Sequence, residues 1–359
     1  MECDHLSLSA SDRTLINRAV ANSPRVFLAP MDKGLSGSDV WQARWQLPDE
    51  SLSKLHVFKI GPIGKLEQEE RAILDIASVI DRFPLAHLYR GDAPDRGLLR
   101  QEFAGDPNGS TFSLRNYIRQ PSYNATPDSI FAVVDRLYER RMGEWHYGTR
   151  EYRSQRRTIS EAVPWWRAKI DLPRVASDIG YEELNAELLL HHGLSVTDLQ
   201  QGVNALLVAP REMPIGPVHG DLHATNVNLD GNLEVYLIDF GNTTYTWRAI
   251  DFIILEAAVK FVAAPAHAPL TSLLECERLI DDGALPSEYR PGAFYGTELS
   301  RILAAAVRIR HHCVASRAEL NVQNYRAGLI CVCAAFTSIE WWVNRRFLFH
   351  SMAYHLGKM

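Results

Sequence analysis

The sequence predicts an α+β fold of two lobes, with a small antiparallel-sheet N-terminal lobe and a larger, mostly helical C-terminal lobe. Three observations point there. Between residues 25 and 60 the chain breaks into three short runs rich in Val, Phe, Leu and Trp, separated by Gly, Ser and Pro-Asp punctuation. Beyond residue 104 helical spacing takes over. A chain of 359 residues, 46% apolar and 23% charged, can bury one large core or two smaller ones.

Ser9 to Ala21 has helix spacing, with cap-type serines at its start and Asn22-Ser23-Pro24 to end it. Arg25 to Pro30, Val40 to Leu47 and Leu55 to Ile60 are the strand runs, and their short connections predict an antiparallel meander. Gly64 to Ile80 is a predicted helix, because Leu66, Ile73, Ala77 and Ile80 fall on one face. Leu98 to Phe103 adds a strand before the polar break Ala104 to Gly109, which sets the lobes at 1–103 and 104–359. Helices are then expected over Ser129–Trp145, Tyr181–His191, Val196–Leu207, Ala249–Val262, Thr297–Arg317 and Asn324–Phe347. The strong strand-turn-strand signal in this half is Val227–Leu229, Asp230-Gly231-Asn232, then Leu233–Ile238.

A net charge of -5 with mixed signs and no polybasic tract excludes broad nucleic-acid binding. The N-terminal MECDHLSLSASD carries acids where a secretion signal would carry Lys or Arg, and the apolar stretch Ala327–Ile339 is too short to span a bilayer, which takes about 20 residues. A soluble cytoplasmic protein is expected, with that stretch as a buried helix. Five cysteines (Cys3, Cys276, Cys313, Cys331, Cys333), without CxxC pairs, fit reduced structural thiols.

Two segments flank the predicted hairpin and carry chemistry: HGDLHATN at 219–226 before it and LIDFG at 237–241 at its end. Phosphoryl transfer needs a carboxylate near the acceptor hydroxyl and oxygen ligands for Mg²⁺ on the nucleotide phosphates. Asp221, Asn226 and Asp239 supply those groups. A hairpin sets its ends side by side, so Asn226 and Asp239 are expected to share a metal cluster, with Asp221 a loop's reach away to orient or deprotonate a hydroxyl.

These segments resemble the HGDxxxxN and IDxG pair of the aminoglycoside phosphotransferase and choline kinase superfamily, which has a protein-kinase-like fold. Gly220 stands where eukaryotic protein kinases commonly have Arg. The resemblance implies Asp221 as catalytic base, Asn226 and Asp239 as Mg²⁺ ligands, His219 as a structural member of the loop, and ATP as cofactor. In DKGLSGSDVW, Gly34, Ser36, Gly37 and Ser38 form a degenerate phosphate-binding turn where backbone N–H groups can approach. Lys59 in VFK resembles the kinase lysine that contacts the α and β phosphates. Of Glu67, Glu69 and Glu70, helix geometry favours Glu69 as its partner, with Glu70 next. By order along the chain Gln101 to Phe103 is the hinge that meets adenine, with Val57 and Ile238 as apolar walls. Asp251 is expected to brace the catalytic loop's backbone, as an aspartate does in kinase-like folds.

Nine residues between Gly241 and Asp251 are too few for a protein-kinase activation segment, so a small-molecule acceptor is favoured. The helical insertion 104–215 carries Arg136, Arg140, Arg141, Arg150, Arg153, Arg156 and Arg157, either a solvated face or the lining of an anion-binding cleft. Glu298, Arg301, Arg308, Trp341 and Trp342 on the C-terminal helices are expected across the cleft. LSGSDVW, VFKIGP and RAIDFIILEAAVKF also resemble kinase-like associated domains of bacterial conflict and signalling systems, which implies a regulatory module with a protein partner as the alternative. A zinc site of His219, Asp221 and His223 is a third possibility by ligand type.

Overall fold

The computed structural model describes residues 8–30, 38–77, 86–91, 95–103, 111–146, 153–163, 170–265, 268–282, 297–338 and 344–359. The chain divides into two compact units. The first comprises Met1–Thr111, Asp230–Asn232 and Tyr236–Thr244, and the second Phe112–Leu229, Leu233–Val235 and Tyr245–Met359.

In the first unit, β1 (Val26–Pro30), β2 (Asp39–Trp45), β3 (His56–Pro62), β4 (Ala86–Arg90) and β5 (Arg96–Glu102) form one antiparallel sheet in the order β1-β2-β3-β5-β4. The meander is the expected one; β4 was not foreseen, because AHLYR has no β-branched residue and no clean alternation. α1 (Ala10–Ala19) starts where the Ser9 hydroxyl accepts the Asp12 N–H. It buries Leu15, Ile16 and Ala19 against Val26, Ala43, Phe58, Ile60 and Leu98. Arg100 ties this layer together, donating to the Ala19 carbonyl while its guanidinium sits 5.6 Å from the Trp45 ring and 5.3 Å from that of Tyr89. α2 (Ile63–Ala77) follows β3 directly and buries Leu66 and Ile73.

The second unit is mainly helical. β9 (Val227–Leu229) pairs with β6 (Phe112–Ser113); along the chain the expected turn at Asp230–Asn232 and the short strand β10 (Val235–Leu237) follow. A further sheet of β7 (Ser154–Arg157), β8 (Arg211–Val218) and β11 (Thr244–Trp247) departs from expectation. Pro214, Gly216 and Pro217 inside β8 mask it as a strand, yet it runs straight into His219.

The predicted helix 129–145 is instead α4 (Pro127–Asp135), a wider π-type turn over Arg136–Arg141, and α5 (Gly143–His146). Short helices α3 (Leu114–Arg119) and α6 (Ile159–Ala162) precede α7 (Leu172–Ile179), α8 (Tyr181–His192) and α9 (Val196–Val208). α10 (Ile250–Val262) is buried at every residue, as its apolar circumference demands. Around it lie α11 (Leu270–Asp281), α12 (Glu298–Ala315), α13 (Val322–Phe336) and α14 (Arg345–Leu356). The single helix expected over 324–347 is thus two. The Thr337 hydroxyl turns back to the Ala334 carbonyl at the end of α13, and the Asn344 side chain caps α14 by accepting the Phe347 N–H. Ala327 to Phe336 forms the buried apolar helix expected, and Cys276, Cys313, Cys331 and Cys333 are buried free thiols.

The helical core also holds an ionic network. Lys260 lies 3.0 Å from Glu256 and 2.6 Å from Glu277, all three fully buried. Glu256 accepts from both sides of the Arg310 fork at 2.8 Å and from the Tyr325 hydroxyl at 2.7 Å, while His355 meets Glu277 at 2.5 Å. Each buried charge has an opposite partner, the condition for tolerating such groups.

Candidate active site

In the first unit Lys59 stands on β3 opposite Val40 of β2 and Leu99 of β5. Its Nζ is 2.6 Å from the Glu69 carboxylate and 3.1 Å from Asp239. Burial opposes the charge on Lys59, but Glu69 and Asp239 outweigh it and hold the ammonium above the usual lysine range. α2 sorts its three glutamates cleanly. Glu69 takes Lys59, Glu70 accepts the Leu88 N–H at 3.0 Å, and Glu67 pairs with Arg90 at 3.0 Å.

Gln101 joins this cluster, donating to Glu69 at 3.4 Å, so its side chain steadies the ion pair; Phe103 anchors the end of β5 through its N–H to the Leu55 carbonyl. Asp239 has φ 63° and ψ 65°, a left-handed conformation that Asp tolerates better than most residues. Gln68 donates to the Gly241 carbonyl at 3.4 Å, tying α2 to the turn after Asp239. Ser38 is buried, with its Oγ 2.4 Å from where a Cβ on Gly61 would be, so that glycine makes room for it. Gly34, Ser36 and Gly37 lie outside the described residues, as do Arg150, Trp341 and Trp342.

In the second unit the loop 219–226 is built by its own backbone. His223 N–H donates to the Asp221 carbonyl at 2.9 Å, Asn226 N–H to the His223 carbonyl at 2.8 Å, and the Asn226 amide to the Asp221 carbonyl at 2.9 Å. Gly220 has φ +76°, which a side chain disfavours and which explains glycine beside Asp221. Asp251, fully buried at the start of α10, accepts the N–H groups of His219 at 2.8 Å and Gly220 at 2.9 Å. Burial pushes its carboxyl up to about 7 against the pull of those two donors, and the Asp221 charge adds to the rise.

The Asp221 side chain is 36% exposed, while Asn226 is buried. His223 was weighed in the sequence only as a metal ligand. Its Nε2 lies 3.9 Å from Asp221, and its Nδ1 meets the Thr225 hydroxyl at 2.6 Å, so the H-x-T spacing next to Asp221 was the available signal. The zinc alternative is not formed. His219 is wholly buried, and among the described residues the group with metal-ligand spacing is Asp135, Glu139 and His312.

Residues 166–332 match the family model of ternary complex associated domain 9. The matched span contains the loop 219–226, Asp239 and Asp251. No curated protein matches this chain in sequence. Among solved structures, a thermostable mutant of aminoglycoside phosphotransferase APH(4)-Ia with ADP and hygromycin B is 10% identical, with a TM-score of 0.48 over 97% of this chain and 96% of that one. Choline kinase LicA from Streptococcus pneumoniae is 13% identical, with a TM-score of 0.47 over 96% and 99%. Aminoglycoside phosphotransferase APH(3'')-Id from Streptomyces rimosus, with ADP and streptomycin, is 17% identical, with a TM-score of 0.40 over 83% and 96%.

The arginines of the insertion are partly accounted for by local partners. Arg136 donates to the Leu233 carbonyl at 2.7 Å, and Arg140 lies 3.5 Å from Glu234. Arg301 donates to the Ile118 carbonyl and Arg308 forks onto Asp135, so both hold helices together. Among the described residues no helix is long and apolar enough to cross a membrane.

Proposed function

We propose that this chain is an ATP- and Mg²⁺-dependent phosphotransferase that moves the γ-phosphate of ATP onto a hydroxyl of a small molecule. The observation that carries the reading is Lys59, buried and paired with Glu69 and Asp239. A lysine raised in pKa on a central strand is a fixed cation suited to nucleotide phosphates.

Asp221 is the base. It takes the proton of the acceptor hydroxyl as the new O–P bond forms and ADP leaves, and its partial exposure leaves it accessible to that hydroxyl. Asn226 and Asp239 are the proposed Mg²⁺ ligands. Their donor set fits a hard cation: Asp239 offers a carboxylate, and the Asn226 amide N–H₂ goes to Asp221, reserving its oxygen. When bound, Mg²⁺ supplies charge neutralisation on the β and γ phosphates. Ser38, with Gly34, Ser36 and Gly37, is assigned to the phosphate turn, Gln101 and Phe103 to the adenine side, and His219 and Asp251 to the loop's support.

The match over 166–332 favours a second reading, a kinase-like module that holds nucleotide for a protein partner without turnover. Transfer from γ-labelled ATP to pooled hydroxyl acceptors, with wild type, Asp221→Asn and Asp239→Ala, separates the two. The enzyme reading expects label transfer that both variants lose. ATP binding with no transfer to any pool leaves the module.

A further inference from the structure

We propose that His192 and His350 form a binding site for a divalent transition-metal ion, clamping α8 to α14. His192 Nε2 and His350 Nδ1 face each other at 3.1 Å. Two imidazole nitrogens at that separation, each about 2.0–2.1 Å from one ion, subtend about 95–100° at it, a normal angle between neighbouring ligands. Imidazole pairs suit Zn²⁺, Cu²⁺ and Ni²⁺ rather than Mg²⁺ or Ca²⁺.

The far side of His350 is prepared for this. Its Nε2 lies 3.4 Å from the Glu187 carboxylate, which is itself held by Arg346 Nε at 2.8 Å. A carboxylate on the second ring nitrogen fixes that proton on Nε2 and turns Nδ1 outward as a lone pair, the usual support of a metal-bound histidine. In the metal-free state one imidazole donates to the other. On binding, His192 carries its proton on Nδ1 instead, so no net proton is released. His191, next on the same turn of α8 and exposed, keeps the edge of the site at the surface, and water completes the coordination.

The competing group, Asp135 with Glu139 and His312, is already closed by Arg308, which bonds both oxygens of Asp135. The test uses the full chain stripped of metal with a chelator and titrated with Zn²⁺ by calorimetry. Wild type is expected to take up one equivalent. His192→Ala should weaken binding at least about 100-fold, and Glu187→Gln about 10–100-fold. Asp135→Asn should leave this uptake unchanged. No uptake by wild type, equal uptake by His192→Ala, or loss in Asp135→Asn would each overturn the proposal. Nitrogen NMR of the wild-type imidazoles keeps the question decidable if His192→Ala does not fold, since Zn²⁺ must shift His192 Nε2 and His350 Nδ1.

Discussion

Asp251 accepts the Gly220 N–H at 2.9 Å from the first turn of α10, and with it the N–H of His219 at 2.8 Å. A wholly buried carboxylate thereby holds the backbone that presents Asp221. The energetic consequence depends on pH. The Asp251 carboxyl titrates near 7 when folded, against an ordinary value of 3.8, so between these the folded chain keeps a proton that the unfolded chain releases. This group therefore removes stability as pH rises from about 4 to 7, on the order of a few kcal/mol. Asp251→Asn lacks that titration, so denaturant curves at pH 5 and pH 8 should show the variant gaining on wild type at the higher pH. An identical difference at both pH values would refute it.

Gly220→Ala tests the loop's backbone. At φ +76° a Cβ costs about 1–2 kcal/mol. The expected result is a lower thermal midpoint, with label transfer falling further than ATP affinity, because the strain falls next to the proposed base. Equal transfer and an unchanged midpoint would show that the loop tolerates the side chain.

Lys59→Met leaves the buried Glu69 carboxylate without its cation, and breaking such a pair costs about 3–5 kcal/mol. Adding Glu69→Leu removes the stranded charge, so the double variant should recover most of that stability while ATP binding stays lost. Urea unfolding of both singles and the double closes the cycle. Simple additivity of the two single effects would mean the pair is not coupled.

Much of the candidate site was legible because its residues sit in rigid local patterns. Lys59 lies on a short apolar strand run, and helix geometry narrowed its partner on α2 to Glu69 or Glu70, of which the structure pairs Glu69 with it. The order β1-β2-β3 followed from turn residues between short apolar runs. What was hidden is instructive. β8 carries two prolines and a glycine, so only its place between β11 and β7 in a sheet makes it a strand. The break between α13 and α14 depends on side-chain caps at Thr337 and Asn344 that hydrophobic periodicity does not register. Gln101 was placed by order along the chain as a hinge, and its hydrogen bond to Glu69 is a tertiary fact with no local signal.

The buried network of the helical core sets the response to acid. Burial works against a charged Glu256, but Arg310 and Lys260 outweigh it and pull its carboxyl down to about 2 from 4.5; Lys260 and His355 likewise hold Glu277 well below the usual carboxylate range. Both groups are depressed in the folded state, so their contribution is complete above about pH 4.5 and is lost as pH falls towards 2. Wild type should therefore lose stability steeply across that interval. Glu256→Gln leaves Arg310 and Lys260 short of a countercharge and should be about 3–5 kcal/mol less stable at pH 7, with a shallower decline in acid. Urea unfolding at pH 3, 5 and 7 checks both parts, and a variant whose acid decline is as steep as that of wild type would show that Glu256 is not among the groups that titrate on unfolding.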